Sequence, residues 1–278
     1  MSLFQLQGTG LRLLTALLWL PFVVAVVWIP AIRWAFILLV MFLSFMGARE
    51  FFALTREKGI GAHDVLVTVL APLLVAGSLI TDMRMILLAE LFIIIMAHVC
   101  SSRHTIAGLS ASVFGLIYAG YLPVYFVALH TVNKSGPALV TILLVVIAVS
   151  DTGAYAVGRR FGRHKLAPKV SPNKTVEGAI AAVVCAAMAG LVLFALKTIL
   201  HWDSFPAWSP AAYVLAAILL SVIGQVGDLT ESLLKRDAGV KDSGSLFPGH
   251  GGVLDRCDAF LFGGPVLHYF CGLYASIW

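Results

Sequence analysis

The sequence predicts an all-α, polytopic integral membrane protein with about nine transmembrane helices. Of its 278 residues, 60% are hydrophobic and 12% are charged, and the mean hydropathy is +0.96. Soluble domains are about 25% charged. Because no strand-rich or low-complexity block separates the apolar runs, we expect one membrane domain over residues 1–278. Within it, the N-terminal helices of residues 1–137 precede the C-terminal helices of residues 138–278, which carry the polar motifs.

Nine apolar runs approach the roughly 20 residues that a helix needs to cross a bilayer. The third and fourth runs are short, and the fifth contains Gly115, Gly120 and Pro123, which predict a kink or a break. The first run has no small-residue cleavage site before Pro30, so we expect a retained helix rather than a signal peptide. The runs are Leu13–Pro30, Trp34–Leu54, Val65–Ile80, Met85–Val99, Ile106–His130, Ala138–Val157, Gly178–Leu200, Ala211–Val226 and Val253–Trp278.

Basic residues gather in alternate loops, which predicts the orientation of the chain. Cytoplasmic loops of membrane proteins are enriched in lysine and arginine, so we expect the N-terminus and both long charged loops in the cytoplasm. The compact length favours a bacterial inner membrane, and an endomembrane location stays an alternative. The basic residues on the predicted cytoplasmic side are Arg12, Arg56, Lys58, Arg103, Arg159, Arg160, Arg163, Lys165, Lys169, Lys174, Lys235, Arg236 and Lys241.

The first polar block begins inside the sixth run, where Asp151 interrupts an apolar sequence. A carboxylate within a membrane usually faces a polar cavity, a metal or a cationic partner, and a structural ion pair is the alternative. Downstream, Ser171, Lys174 and Thr175 lie in the motif SPNKTVEG. Thr175 can cap the next helix, and free amides at a helix N-terminus bind anions. Capping alone would explain Thr175 but less readily Lys174 beside it.

The second polar block follows the eighth run and is the densest in the chain. The chain has 19 Lys and Arg residues and 14 Asp and Glu residues, and eight of these charged residues lie within residues 232–258. Asp228 precedes this block, and on a helix it lies close to Ser232 and Lys235. Gly251 and Gly252 follow His250, and glycines let backbone amides approach a ligand closely. A flexible turn is the alternative for these glycines.

Asp255 and Asp258 are three residues apart at the start of the ninth run. Two carboxylates so close repel each other unless a cation lies between them, and carboxylate oxygens suit Mg²⁺. Lys241 and Arg256 can neutralise a phosphate, although ion pairs of Asp255 with Arg256 or Lys235 are the structural alternative. Acids for a metal and bases for a phosphate at a membrane surface indicate phosphoryl or nucleotidyl transfer. The chain has no P-loop motif, which argues against a P-loop ATPase.

These motifs resemble the signature of the phosphatidate cytidylyltransferases, also called CDP-diglyceride synthetases. Cys257 departs from the aliphatic residue or threonine expected at its position. The resemblance also covers Asp151 with TGAY, Ser171–Gly178 and Gly227–Asp228. Its main run consists of Ser232, Lys235, Arg236, Lys241, Asp242, Pro248, His250, Gly251, Gly252, Asp255, Arg256 and Asp258.

The resemblance implies that CTP and phosphatidate react to give CDP-diacylglycerol and pyrophosphate in an all-helical membrane enzyme. It implies dependence on Mg²⁺, with a second cation such as K⁺ as an option, and it makes Asp228, Asp255 and Asp258 the metal ligands. We expect Asp151 and Glu177 to hold a second cation or to orient the basic residues. We expect Lys174, Lys235, Arg236 and Lys241 to offset the charge of CTP, and His250 to donate to a phosphate oxygen.

Other interpretations remain open from the sequence. A cytidylyltransferase or kinase for another membrane lipid phosphate or alcohol would use similar chemistry, and a cation transporter could line its path with the same aspartates. A CDP-alcohol phosphotransferase would need an Asp-Gly-x-x-Ala-Arg run, which the sequence lacks. Membrane lipid is the expected environment, no nucleic-acid partner is expected, and a homodimer is an open alternative.

Overall fold

The computed structural model describes residues 21–101, 105–246 and 251–274, which are mostly helical. After a helical segment at residues 21–28 and a short turn at Pro30–Ile32, the helices are α1 (Arg33–Glu57), α2 (Asp64–Gly77), α3 (Met83–Cys100), α4 (Ile106–Gly115), α5 (Leu122–His130), α6 (Gly136–Phe161), α7 (Val176–Ile199), α8 (Pro210–Ala238) and α9 (Leu254–Leu273). A π-helical segment, Leu116–Tyr121, joins α4 to α5. Two strands, β1 (Lys165–Ala167) and β2 (Ser171–Thr175), lie between α6 and α7.

The predicted all-α membrane class is confirmed. Within the described residues, six helical stretches are long and apolar enough to span a bilayer, and α2 is a shorter apolar helix of 14 residues. Nine runs were therefore an approximate count. The predicted break near Gly115 and Gly120 is a π segment within a continuous stretch. Residues 13–20 of the run Leu13–Pro30 lie outside the described residues. The six stretches are Pro30–Glu57, Met83–Cys100, Ile106–His130, Gly136–Phe161, Val176–Ile199 and Pro210–Ala238.

The β-hairpin before α7 was not predicted from the sequence. Its strands pair antiparallel, with Lys165 opposite Thr175 and Ala167 opposite Ser171. With two strands, the sheet has only edge positions, and an edge can accommodate Pro172 because its missing N–H needs no ladder partner. The hairpin ends directly at the N-cap of α7, so β2 fixes where that helix begins.

The described chain divides into two compact units, and the first comprises residues 1–127 and 235–257. In this unit α1 packs against α2, and the π segment contacts both helices. Ala48, Ala71 and Ala119 meet in the core. Small side chains let helix backbones approach closely where both lie in a membrane. The Ser44 hydroxyl donates to the Ala119 carbonyl at 2.6 Å and so links α1 to the π segment.

The second unit comprises residues 128–234 and 258–278. Its most extensive helix pair is α6 with α7. Ser150 of α6 and Ser221 of α8 are joined by a buried 2.7 Å hydrogen bond between their hydroxyls. A methyl group added at Gly190 of α7 would lie 2.7 Å from the Tyr213 carbonyl oxygen of α8. The contact between α7 and α8 therefore depends on a residue without a side chain.

We expect Gly190→Ala to destabilise the protein by about 1–3 kcal/mol, because the added methyl group meets backbone that cannot rotate away. Gly224→Ala is the matched control in α8, since a methyl group there would make contacts of 3.5 Å or longer. Alanine is the better helix former by about 0.5–1 kcal/mol, so the control should be neutral or slightly stabilising. Thermal unfolding of the purified proteins in detergent measures both. Equal effects of the two variants would refute the tight α7–α8 contact.

Candidate active site

Three of the predicted aspartates come together in the second unit with one lysine. Asp151 of α6, Asp228 of α8 and Asp258 of α9 interact electrostatically with one another, and Lys174 of β2 carries the opposite charge beside them. The Lys174 Nζ lies 2.5 Å from Asp228 Oδ2, and the Ser232 hydroxyl lies 3.4 Å from Asp228 Oδ1. We call Asp151, Lys174, Asp228 and Asp258 the carboxylate cluster. Three carboxylates against one ammonium leave an excess of negative charge.

The helix backbones bring the cluster together because Gly227 has no side chain. A methyl group at Gly227 would overlap the Asp258 carbonyl oxygen and lie 3.0 Å from the Phe262 ring. The backbone of α8 therefore approaches that of α9 directly beside Asp228. Any larger residue at position 227 would push the carboxylates of Asp228 and Asp258 apart.

The hairpin and the start of α7 position Lys174. Thr175 is the N-cap of α7, and its hydroxyl accepts a 3.2 Å hydrogen bond from the Gly178 amide. Thr175 is buried where Gly158 and Gly162 of the preceding segment leave room for its side chain. Ser171 lies at the far end of the same strand, paired with Ala167. Thr175 therefore has the structural role of a cap, and Lys174 next to it reaches the aspartates.

Glu177 in the first turn of α7 holds the loop that enters the hairpin. Its carboxylate accepts hydrogen bonds from the amides of Arg163 (3.1 Å) and His164 (3.2 Å), and its Oε1 lies 2.7 Å from the His164 ring nitrogen Nδ1. These contacts fix the loop before β1. The carboxylate of Glu177 is therefore hydrogen-bonded to other groups of the chain.

Carboxylate oxygens are the ligands that Mg²⁺ prefers, so the carboxylate cluster fits a divalent cation by its donor chemistry and its excess charge. Lys174 already provides one positive group at Asp228. Within residues 21–101, 105–246 and 251–274, no three acidic, histidine or cysteine side chains lie in an arrangement that could hold an ion together. The assignment of Asp228, Asp258 and Asp151 as metal ligands stays a prediction.

Asp255 lies in the first unit, where donors from the chain surround it. Its Oδ2 accepts hydrogen bonds of 2.8 Å from the Ser243 amide, the Ser243 hydroxyl and the Gly252 amide. Its Oδ1 forms a 2.6 Å ion pair with Lys235, and the side chains of Lys235 and Asp255 are only 14% and 5% exposed. The ion pair of Asp255 with Lys235, one of the structural alternatives, is therefore present. The role of Asp255 as a metal ligand stays a prediction from the resemblance.

The glycines before α9 make room for this arrangement. Gly251 adopts a positive φ of 85°, a conformation that side chains disfavour, and a methyl group on it would lie 2.6 Å from Asp255 Oδ2. A methyl group on Gly252 would lie 2.5 Å from both the Ser243 hydroxyl and a Glu50 carboxylate oxygen. In this structure both glycines therefore admit carboxylates of the chain.

The remaining predicted basic residues that the structure describes lie at exposed positions. Lys241 and Arg256 are exposed, and so is Arg236, whose guanidinium lies 3.5 Å from the Val240 carbonyl oxygen. His250 lies outside the described residues. The predicted phosphate-binding roles of these residues stay predictions.

Two residues that sequence reasoning missed are Glu50 and Ser243. Glu50 is 7% exposed, its carboxylate accepts from the amides of Val253 and Leu254, and the Ser243 hydroxyl lies 3.1 Å from its Oε2. A signal was present, because Glu50 lies inside the predicted span Trp34–Leu54, where a charge needs a partner. Ser243 gave no comparable signal, since serine is common in turns.

Together, the fold and the site define a helical membrane protein in which aspartates of three helices and a lysine of the hairpin come together. Residues 10–274 match the family described as "Cytidylyltransferase family". A phosphatidate cytidylyltransferase of Synechocystis is 36% identical over 269 residues, covering 85% of this chain and 88% of that protein. Proteins of the same name from Staphylococcus saprophyticus and Bacillus subtilis are 33% and 38% identical, covering 92% and 70% of this chain and 96% and 70% of their own lengths.

The chain belongs to the cytidylyltransferase family, and the resemblance found in the sequence is confirmed. The match extends over nearly the whole length, including the apolar N-terminal half that carries none of the signature residues. Family membership makes the polar clusters the candidate active site.

We expect Lys235→Met to destabilise the protein by about 3 kcal/mol, because it removes one partner of a buried ion pair. Lys58→Met is the matched control, since Lys58 forms an exposed ion pair with Asp237 at 3.2 Å in the same unit. An exposed pair contributes at most about 1 kcal/mol. Chemical unfolding in detergent micelles compares the two variants. If both variants lose the same small amount, the Lys235–Asp255 pair is not the buried anchor that the structure describes.

Proposed function

We propose that this protein transfers the cytidylyl group of CTP to phosphatidate, giving CDP-diacylglycerol and pyrophosphate. The observation that carries this proposal is the carboxylate cluster, in which three aspartates and Lys174 meet within a membrane protein. Such a cluster suits a substrate pair whose phosphates bring more negative charge and which therefore require cations. The names of the relatives support the same reaction.

The chemistry requires little beyond positioning and neutralisation of charge. An oxygen of the phosphatidate phosphate forms a bond to the α-phosphorus of CTP, and the bond between the α-phosphorus and the bridging oxygen to the β-phosphate breaks. Pyrophosphate leaves with that electron pair. The attacking oxygen is already anionic near neutral pH, so no strong general base or covalent intermediate is needed. Most catalysis of this kind comes from orientation and electrostatic stabilisation.

We assign the acidic residues to the metal and the basic residues to the phosphates. Asp228, Asp258 and Asp151 would hold Mg²⁺, which supplies charge neutralisation at the reacting phosphates when bound. Lys174, which pairs with Asp228 at 2.5 Å, is placed to exchange that partner for a phosphate. We expect the exposed side chains of Arg236, Lys241 and Arg256 to bind the triphosphate and the leaving pyrophosphate, and His250 to donate to a phosphate oxygen.

The protein is a membrane protein, and we propose that the site faces the cytoplasm of a bacterial cell. The basic loops, which include Lys165, Lys169 and Lys235, support this orientation by the enrichment of such residues on the cytoplasmic side. CTP is a water-soluble substrate and phosphatidate a lipid one. A site at helix ends, where the water phase meets the bilayer, is reachable by both.

The proposed function predicts pyrophosphate release from CTP that depends on both phosphatidate and Mg²⁺. Purified protein in detergent is assayed for pyrophosphate and for the CDP-lipid, with EDTA in a parallel reaction. Asp228→Asn and Asp258→Asn should each lower kcat/KM at least about 100-fold, since each removes a negatively charged ligand of the proposed Mg²⁺, which stabilises the charge of the reacting phosphates. Asp203→Asn, an exposed aspartate of the same unit, should retain wild-type activity.

The alternatives give different results in the same preparation. Release with another lipid phosphate or a lipid alcohol, and none with phosphatidate, would assign a related transferase instead. Cation flux in liposomes without nucleotide and without pyrophosphate release would favour transport. Activity that survives both EDTA and Asp258→Asn would refute the proposed metal-binding role of the carboxylate cluster.

A further inference from the structure

Glu50 is a buried carboxylate that the proposed chemistry does not use. It lies in α1, inside an apolar helix, and all the hydrogen-bonding partners described above belong to the segment 243–254. The amides of Val253 and Leu254 donate to its two oxygens at 2.9 Å each, and the Ser243 hydroxyl lies 3.1 Å from Oε2. The two amides belong to the start of α9, whose N-terminus carries a partial positive charge. Glu50 thus connects α1 to the segment that carries the signature residues.

Two described glycines of this segment leave space for the Glu50 carboxylate. A methyl group on Gly244 would lie 2.5 Å from Glu50 Oε1, and one on Gly252 would lie 2.5 Å from Oε2. Two glycines that are eight positions apart in sequence therefore leave space for the same side chain. A chance contact between a loop and a helix would not need clearance on both sides.

Ser243 connects Glu50 to Asp255. Its hydroxyl lies 2.8 Å from Asp255 Oδ2 as well as 3.1 Å from Glu50 Oε2, and its amide donates to Asp255 at 2.8 Å. Lys235 pairs with the other oxygen of Asp255. If Glu50 were removed, Ser243 and the first turn of α9 would lose a common anchor, and the orientation of Asp255 would no longer be fixed by α1.

We infer that Glu50 is a positioning residue of the transferase, which fixes Ser243 and the N-terminus of α9 and thereby orients Asp255. The inference rests on the proposed function for its kinetic consequence. The structural part of the inference, that Glu50 holds Ser243 and the start of α9 in place, depends only on the hydrogen bonds. Glu50 acts through other residues and is not assigned a contact with either substrate.

The first experiment follows hydrogen exchange by mass spectrometry in detergent for peptides covering residues 243–255. Glu50→Gln keeps the size of the side chain but replaces one acceptor oxygen by an NH₂ group, which cannot accept from the backbone amide that donates to that oxygen. We expect the amides of Val253 and Leu254 to exchange at least about tenfold faster, because a buried hydrogen bond is lost. Glu57→Gln, exposed on the same helix, and Glu90→Gln, a buried glutamate of α3 in the same unit, should leave this peptide unchanged.

The second experiment measures steady-state kinetics of cytidylyl transfer with the same variants. In Glu50→Gln, kcat should fall at least about tenfold while KM for CTP stays within about threefold, because Asp255, a predicted metal ligand, loses its fixed orientation while Arg236, Lys241 and Arg256 are unchanged. Glu57→Gln should behave as wild type. Glu50→Asp, which keeps two acceptor oxygens on a shorter side chain, should recover part of the lost kcat.

If Glu50→Gln fails to fold, Gly252→Ala tests the same contact by changing the residue that packs against Glu50. It leaves the carboxylate in place and crowds it, so it should also raise exchange at Val253 and Leu254 and lower kcat. Unchanged exchange of the 243–255 peptide in Glu50→Gln, or unchanged kcat despite faster exchange, would overturn the inference. If the wild-type protein transfers no cytidylyl group, the proposed function fails, and the exchange data alone decide whether Glu50 holds the segment.

Discussion

The structure depends on how a mostly apolar chain accommodates carboxylates. Transferring an unpaired carboxylate out of water is costly, so buried acids need hydrogen-bond donors or cations. Glu50 and Asp255 meet this requirement in the first unit with backbone amides, the Ser243 hydroxyl and Lys235. Because these donors come from a loop and a helix start, satisfying the charges also folds the loop. The positions of Ser243 and of residues 252–254 therefore follow from the solvation of two acids.

Glycine makes these contacts possible in both units. Gly252 leaves space for Glu50, Gly251 leaves space for Asp255, and Gly227 lets α8 approach α9 beside Asp228 and Asp258. In each case a side chain would meet a carboxylate oxygen or a backbone carbonyl oxygen. The glycines near His250 were interpreted from the sequence as space for a ligand. In the structure, the two described glycines of that group serve the chain's own acids, and this internal role is compatible with a ligand on another side.

The sequence predicted the membrane class and the family, because hydropathy and a long spaced motif are local properties. The hairpin at Lys165–Thr175 was missed, since it has charged residues and a proline where strands usually show apolar alternation. Glu50 could have been found, because the rule that singles out Asp151 inside an apolar run applies equally to it. Its partners could not have been named, since they lie about 200 positions later in the chain and only the fold brings them together.

The two acidic groups differ in how far the protein itself satisfies them, and this difference indicates their roles. Asp255 and Glu50 are surrounded by donors of the chain. Asp151, Asp228 and Asp258 repel one another and have Lys174 as the cation described beside them. Electrostatic repulsion that the fold leaves uncompensated weakens the unliganded protein and is relieved when a cation binds, so it adds to the affinity for that cation. This difference supports the proposal that Asp151, Asp228 and Asp258 hold a metal and that Glu50 shapes the segment before α9.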